Sequence, residues 1–320
     1  MIIHIFRGLI FAAAIALGSA ALAQSKPTRL VVGFPPGGPI DAVARIMSEQ
    51  LGRELGQLVV VENRAGANAG IAAEFVAKSN PDGSTLLIST AGAMTISPSL
   101  YDKLAADPFR DLIPVSLVVN TDEVLVTSVN NPANTVPEFI TAARARKDGV
   151  TLASSGVGSV PHLAMELLDD VTKANLRHVP YKGVAPAITD VIAGHVDGIF
   201  IDFPVALGHI RAGKLKALGL AAPKRHPLLP ETKTLEEMGI KGVDSNNWYG
   251  IFAPKGTSAA DIDRVNQAIR RSLESEGVKS RLLAVGLIGA PGSPAGLAAL
   301  QKADFEKWAS IIKIKGIKGE

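Results

Sequence analysis

The chain has 320 residues, with 33 Lys and Arg against 30 Asp and Glu, a formal charge of +3, and no cysteine. Disulfides, thiol catalysis and a lipid-anchored cysteine are therefore excluded, and a fold of this size must be held by packing alone. A charge so near neutral, with no basic run interleaved with aromatics, leaves no footprint for nucleic acid; Lys313, Lys315 and Lys318 read as a solvated helix end.

The first segment in chain order reads as a secretory signal. Arg7 is the only charge in the first 25 residues and precedes the apolar run from Gly8 to Ala23, which closes on Ala21-Leu-Ala23. That run is shorter than the roughly 20 residues a membrane span needs, and its ending is an A-x-A cleavage pattern. Cleavage before Gln24 is expected, removing residues 1–23 and leaving an exported chain of 32 cations and 30 acids.

Next comes Leu30-Val-Val-Gly-Phe-Pro-Pro-Gly-Gly-Pro-Ile-Asp-Ala-Val-Ala-Arg45, an apolar strand, a Pro/Gly turn and an amphipathic helix. Pro35 and Pro36 stiffen the turn, while Gly37 and Gly38 allow close approach to a guest and dihedrals that other residues resist. Pro39 fits the first helical turn, where a missing N–H costs nothing. The helix start offers free amides and the positive end of a dipole, suited to a carboxylate or phosphate. The same geometry also serves a plain chain reversal. There is no Lys-Ser/Thr pair of a P-loop and no G-x-G-x-x-G spacing, so nucleotide is not the reading. Phe34 would supply an apolar wall, and Asp41 falls where an acid compensates the dipole.

The pattern then alternates. Strands are expected at 58–62, 85–90, 117–120, 124–129, 151–154, 198–202, 215–220 and 249–253. Helices are expected at 70–78, 136–146, 162–168, 185–192, 259–273 and 294–313, with Asn80-Pro-Asp-Gly83 a strong turn. This is α/β architecture with mostly parallel strands and no internal repeat. Extended stretches near 117–129 and 246–253 are candidate crossings between two lobes, which gives a division into 24–122 with 243–320, and 123–242. A cleft between them would lie at the carboxyl ends of strands.

Ala153-Ser-Ser-Gly-Val-Gly-Ser-Val-Pro-His162 has the same strand, small-residue turn and helix start. Ser154, Ser155 and Ser159 would donate through hydroxyl and backbone around Gly158, with helix capping as the alternative. Thr90 ends a strand toward the same cleft, Tyr181 would wall it, and Lys182 serves equally as a surface charge. Asp202 would accept from a ligand amine or hydroxyl, or pin a neighbouring loop. His162 stands beside a binding loop and is kept as a contact. His178, His195, His209 and His226 show no metal-ligand spacing, and neither H-E-x-x-H nor G-x-S-x-G occurs, so no metal and no cofactor is expected. Trp248 and Tyr249 read as packing between lobes.

These residues resemble the extracytoplasmic solute receptors of the tripartite tricarboxylate transporter group, the Bordetella uptake gene proteins. The resemblance is carried by Val32-Gly-Phe-Pro-Pro-Gly-Gly38 with Asp41, Val59-Val-Val-Glu-Asn-Arg-Ala-Gly66, Asn80-Pro-Asp-Gly83 and Pro98-Ser-Leu-Tyr101. It continues through Ala153-Ser-Ser-Gly-Val-Gly158, His178-Val-Pro-Tyr-Lys-Gly183, Val196-Asp197 with Asp202 and Pro204, and Trp248 to Pro254, in order along the mature chain. It implies a type II periplasmic binding protein fold, two α/β lobes joined by two hinge strands with the ligand cleft between them. It further implies a monomeric receptor that performs no chemistry and captures a small organic acid, held largely by backbone amides and ordered water from two facing loops. The closed form would be delivered to an inner-membrane transporter with one large and one small membrane subunit. The candidate ligand set is Phe34, Gly37, Gly38, Thr90, Ser154, Ser155, Gly158, Ser159, His162, Tyr181 and Asp202. Two departures from the family pattern are Pro39, where a small residue is commoner, and Ser97, in place of an Asn.

Dicarboxylate, tricarboxylate, amino acid, nicotinate-like and aromatic acids all stay open as ligands. A receptor that signals to a membrane sensor kinase is the alternative. A secreted hydrolase using Ser155 with His162 is the rival from another class, and no residue pattern supplies its nucleophile, base and orienting acid together.

Overall fold

A computed structural model describes residues 26–101 and 103–319 of the protein. The expected signal segment and its cleavage site lie outside the described residues. Short runs of Val, Leu and Ile, buried on both faces, make the strands. One sheet contains β1 (Thr28–Val32), β2 (Val59–Asn63), β3 (Thr85–Thr90), β4 (Leu112–Thr121), β10 (Asn247–Pro254) and β11 (Ile288–Gly289), in the order β11-β4-β10-β3-β1-β2. The other contains β5 (Glu123–Ser128), β6 (Val150–Ser154), β7 (Leu176–Pro180), β8 (Gly198–Asp202) and β9 (Leu215–Ala221), in the order β7-β6-β8-β5-β9.

Helices cover both faces of each sheet, giving two α/β lobes. The first lobe carries α1 (Pro39–Leu55), α2 (Gly70–Ala77), a π-helical turn (Gly92–Ile96) that runs into the short α3 (Ser97–Leu100), and the pair α8 (Ala259–Glu274) and α9 (Glu276–Ala284). The second carries α4 (Val136–Ala145), α5 (Val160–Thr172), α6 (Val184–Ala193) and α7 (Phe203–Arg211). In α1, Ile40, Val43, Ala44, Met47 and Leu51 recur at helical spacing and are buried against β1 and β3, and Gly56 ends the helix at φ 68°. The expected elements recur, and the chain adds β7, β11, the π-helical turn with α3, α7 and α9, whose short apolar patterns are not periodic enough to read.

The expectation of mostly parallel strands is corrected to two mixed sheets. Among the named strands, the parallel pairs are β1–β2, β1–β3, β6–β7 and β6–β8, whereas β10 runs against both β3 and β4, and β5 against both β8 and β9. The cause lies at the crossings: a helix between strands restores direction, and the strands that change lobes have none. Only Asp122 separates β4 from β5, and the return path from β9 to β10 is the segment 222–246. The last helix, α10 (Pro294–Lys315), touches both lobes. Its Leu297 is in the core of the first sheet, while Trp308 and Ile312 are in the core beneath α5.

Candidate functional site

A cavity of about 480 Å³ lies between the two lobes. The first lobe contributes Phe34 and Pro39 from the β1–α1 loop, Asn68, Thr90 at the end of β3, and the turn from Gly92 to Tyr101. Ser155 to Pro161, Gly183, Val184 and Asp202 face them from the second lobe, and Glu123 and Asn247 line the cavity beside the crossing. Among the described residues, no Lys, Arg or His lines the cavity.

The first loop is fixed by polar contacts behind it. Asp41 is buried and accepts hydrogen bonds from the Gly37 N–H, Arg45 Nε and Asn63 Nδ2, each at 2.9 Å, while Asn63 Nδ2 also donates to the Phe34 carbonyl at 3.1 Å. Burial works against ionisation of Asp41, but the bonds from Arg45, Gly37 and Asn63 outweigh it and hold its carboxyl below the ordinary range. The Gly37 amide is thus spent on the brace, and Gly37 needs its left-handed φ of 88° to make it. Pro39 is at the helix start and Gly38 makes no side-chain cap, so Ile40 and Asp41 carry the N–H groups that lack an intrahelical acceptor. Ala67, Asn68 and Ala69 all have positive φ, at 48°, 46° and 68°. Three consecutive left-handed residues without glycine store strain in a loop at the cavity wall, where Asn68 Nδ2 donates to Ser97 Oγ at 2.9 Å.

The facing loop between β6 and α5 is braced in the same way. Ser154 is fully buried; its Oγ donates to the Gly156 carbonyl at 3.0 Å and lies 2.6 Å from His178 Nε2. His162 Nδ1 accepts the Gly158 N–H at 3.0 Å, and the rings of His162 and His178 stack at 3.7 Å. Burial, and then the neighbouring His162, push His178 down to about 4, so it is neutral at physiological pH. Ser159 caps α5, accepting the His162 N–H at 3.4 Å. Across the cleft, Gly158 lies so close to Leu100 that a Cβ there would collide with it.

Of the residues proposed from sequence, Phe34, Thr90, Ser155, Gly158, Ser159 and Asp202 come together around the cavity. Five do not line it. Gly37 and Gly38 shape the loop behind Pro39, Ser154 and His162 are its buried braces, and the Tyr181 hydroxyl turns away to donate to Asp190 at 2.6 Å. Asp41 lies in the first turn of α1, where an acid compensates the dipole, and it also braces the loop. Sequence reading missed Asn68, Glu123 and Asn247. Asn68 had a local signal, an Asn between small residues where left-handed backbone is common. Glu123 had a weaker one, two acids interrupting an otherwise apolar stretch.

The acids beside the crossing are unusual. Glu123 on β5 pairs directly opposite Asp202 on β8, and Asn247 Nδ2 donates to Asp202 Oδ1 at 3.0 Å. Burial, then the charge of Asp202, drives the Glu123 carboxyl well above its ordinary value; burial alone pushes neighbouring Asp122 up to about 6. Among the described residues, no group of three or more His, Asp or Glu side chains is arranged to hold a metal ion.

The family model described as "Tripartite tricarboxylate transporter family receptor" matches residues 43–317. The chain belongs to this receptor family. Protein BugT of Bordetella pertussis (strain Tohama I) is 34% identical over 301 residues, covering 94% of this chain and 92% of that protein. Among solved structures, MatC from Rhodopseudomonas palustris with bound malate has a TM-score of 0.77 at 32% identity, covering 90% of this chain and 99% of that one. R. palustris Rpa4515 with adipate has a TM-score of 0.83 at 30% identity, over 92% of this chain and 99% of that one. The two-lobe fold of this receptor family is thus a type II periplasmic binding protein fold, with its cleft between lobes joined at the crossing strands.

Proposed function

We propose that the protein is a periplasmic receptor that captures a small organic acid by lobe closure and delivers it to the membrane subunits of a tripartite tricarboxylate-type transporter. The observation that carries this reading is the pair of braced loops, each opening a helix, that face one another across a cavity with no cation in its lining. The malate and adipate bound by two relatives of the same fold support a carboxylate as the guest. Micromolar capture needs about 8 kcal/mol. Three or four hydrogen bonds to a charged group, at about 1.5–3 kcal/mol each, together with burial against Phe34, reach that value without a guanidinium clamp. The ligand contacts we assign are Phe34, Thr90, Ser155, Gly158, Ser159 and Asp202. The lobes divide on this reading into 24–122 with 243–320, and 123–242, with α10 lying across both.

The test is calorimetric titration of the purified protein with carboxylates and their neutral amides. At least one acid is expected to bind while its amide does not, and Ser155→Ala is expected to weaken that acid about tenfold, the loss of one hydrogen bond to a charged group. Equal affinity for every acid and its amide would overturn the reading.

A further inference from the structure

The cleft holds one feature that capture of an anion does not use. Glu123 is fully buried, lines the cavity, and among the described residues has no hydrogen-bond partner for either carboxylate oxygen apart from the Asp202 carboxyl opposite. The β5–β8 register sets these two acids side by side on one face of the sheet, where like charges oppose each other. The groups around them are Asp122 next in the chain, Asn247, which donates to Asp202, the Tyr249 phenol and the Thr121 hydroxyl. None of these is a cation. A buried acid kept for stability is paired or fully hydrogen-bonded, because an uncompensated one is costly. Here the missing partner is a positive charge, and the open side of the pair is the cavity.

We infer that the occupant of this cleft is a zwitterion, its carboxylate held at the two braced loops and its protonated amine between Glu123 and Asp202. This rests on the reading of the cleft as a carboxylate receptor site and narrows its substrate class to aminocarboxylates. Two acids with no third ligand are too few for a metal ion. A quaternary ammonium would bring no N–H for oxygens that lack donors. A second carboxylate on the ligand would meet two acids. Burial raises both carboxyls, and the charge of Asp202 raises Glu123 further, which favours a shared proton on the pair in the empty cleft. An entering ammonium takes that proton's place, so binding is accompanied by proton release.

The experiment titrates the purified protein with straight-chain aminocarboxylates from glycine to 6-aminohexanoate and with the aliphatic and acidic L-amino acids. Each is compared with its desamino acid, and the dicarboxylates from malonate to adipate complete the panel. Heats are measured at pH 7 in buffers of different ionisation enthalpy. The expected result is one aminocarboxylate that binds at least about tenfold more tightly than its desamino acid and every dicarboxylate, as hydrogen bonds to charged groups require, with release of about one proton. Glu123→Gln is expected to abolish the proton release, cut that affinity about tenfold or more, and raise the affinity for plain acids by removing a repulsive charge. Asp202→Asn should move the affinities in the same directions and serves if the first variant does not fold. A desamino acid or dicarboxylate that outbinds every aminocarboxylate would overturn the inference and leave the carboxylate receptor standing. An aminocarboxylate bound equally well by both variants would overturn it too. No binding by any compound to folded protein would overturn the inference, and the acid-against-amide titration decides the carboxylate reading separately.

Discussion

At the scale of single residues, the cleft is shaped by side chains that do not face it. Asp41 gathers three donors, and a carboxylate alone can accept all of them. Asp41→Asn replaces one acceptor with a donor aimed at donors, and is expected to cost about 1–3 kcal/mol in a urea unfolding curve. His178 carries a pH dependence of known sign. Its native value of about 4 lies below the ordinary 6.5, so its contribution is complete above pH 6.5 and is lost as pH falls toward 4. The loss at pH 5 should be on the order of 1–2 kcal/mol. His178→Gln is expected to flatten the fall in melting temperature between pH 6.5 and 5; a fall as steep as in the parent protein would exclude the His178–Ser154 brace as its source.

Paired elements place the acids. Because β5 enters the second sheet against β8, its first residue meets the last residue of β8, and Glu123 is set against Asp202 at the cleft. The Glu123 carboxyl is raised in the native state, so its contribution is present below its unfolded value near 4.5 and is lost as pH rises through the native one. Each unit of that rise costs about 1.4 kcal/mol once the pH exceeds both values. Glu123→Gln is therefore expected to raise the melting temperature, and by more at pH 8 than at pH 5; an equal or lower melting temperature at pH 8 would contradict the burial argument. The β6–α5 loop makes a second element-scale prediction. Gly158 has φ 71° and touches Leu100 of the other lobe, so Gly158→Val adds both backbone strain and a wedge across the cleft. Ligand affinity should fall more than tenfold by the roughly 1.4 kcal/mol per decade relation, while the far-ultraviolet circular dichroism stays that of the parent.

For the whole molecule, α10 decides how firmly the lobes are joined. Trp308 is fully buried in the second lobe's core although its helix begins on the first, so the lobes are linked by the crossing strands and by this strap. Trp308→Ala is expected to cost about 3–5 kcal/mol, the usual range for emptying an aromatic site. Trp308→Phe should cost far less, since the indole N–H has no partner to lose. Chemical denaturation of the two variants, followed by circular dichroism, checks both.

The sequence by itself determined the α/β alternation, the two strand–turn–helix loops and the receptor family. These depend on residues within one turn or one strand of each other, as in Gly33-Phe-Pro-Pro-Gly-Gly-Pro39 and Ser154-Ser-Gly-Val-Gly-Ser159, where local backbone chemistry leaves few alternatives. It could not show that Ser154 and His162 support the cleft from beneath while Ser155 and Ser159 face it, since adjacent serines differ only in which way the folded loop turns them. Nor could it show that Glu123 meets Asp202, that His178 stacks on His162, or that the last helix straps both lobes. Each of these joins segments distant in the chain, and strand register and close packing, which exist only once the sheets have assembled, decide which of them touch.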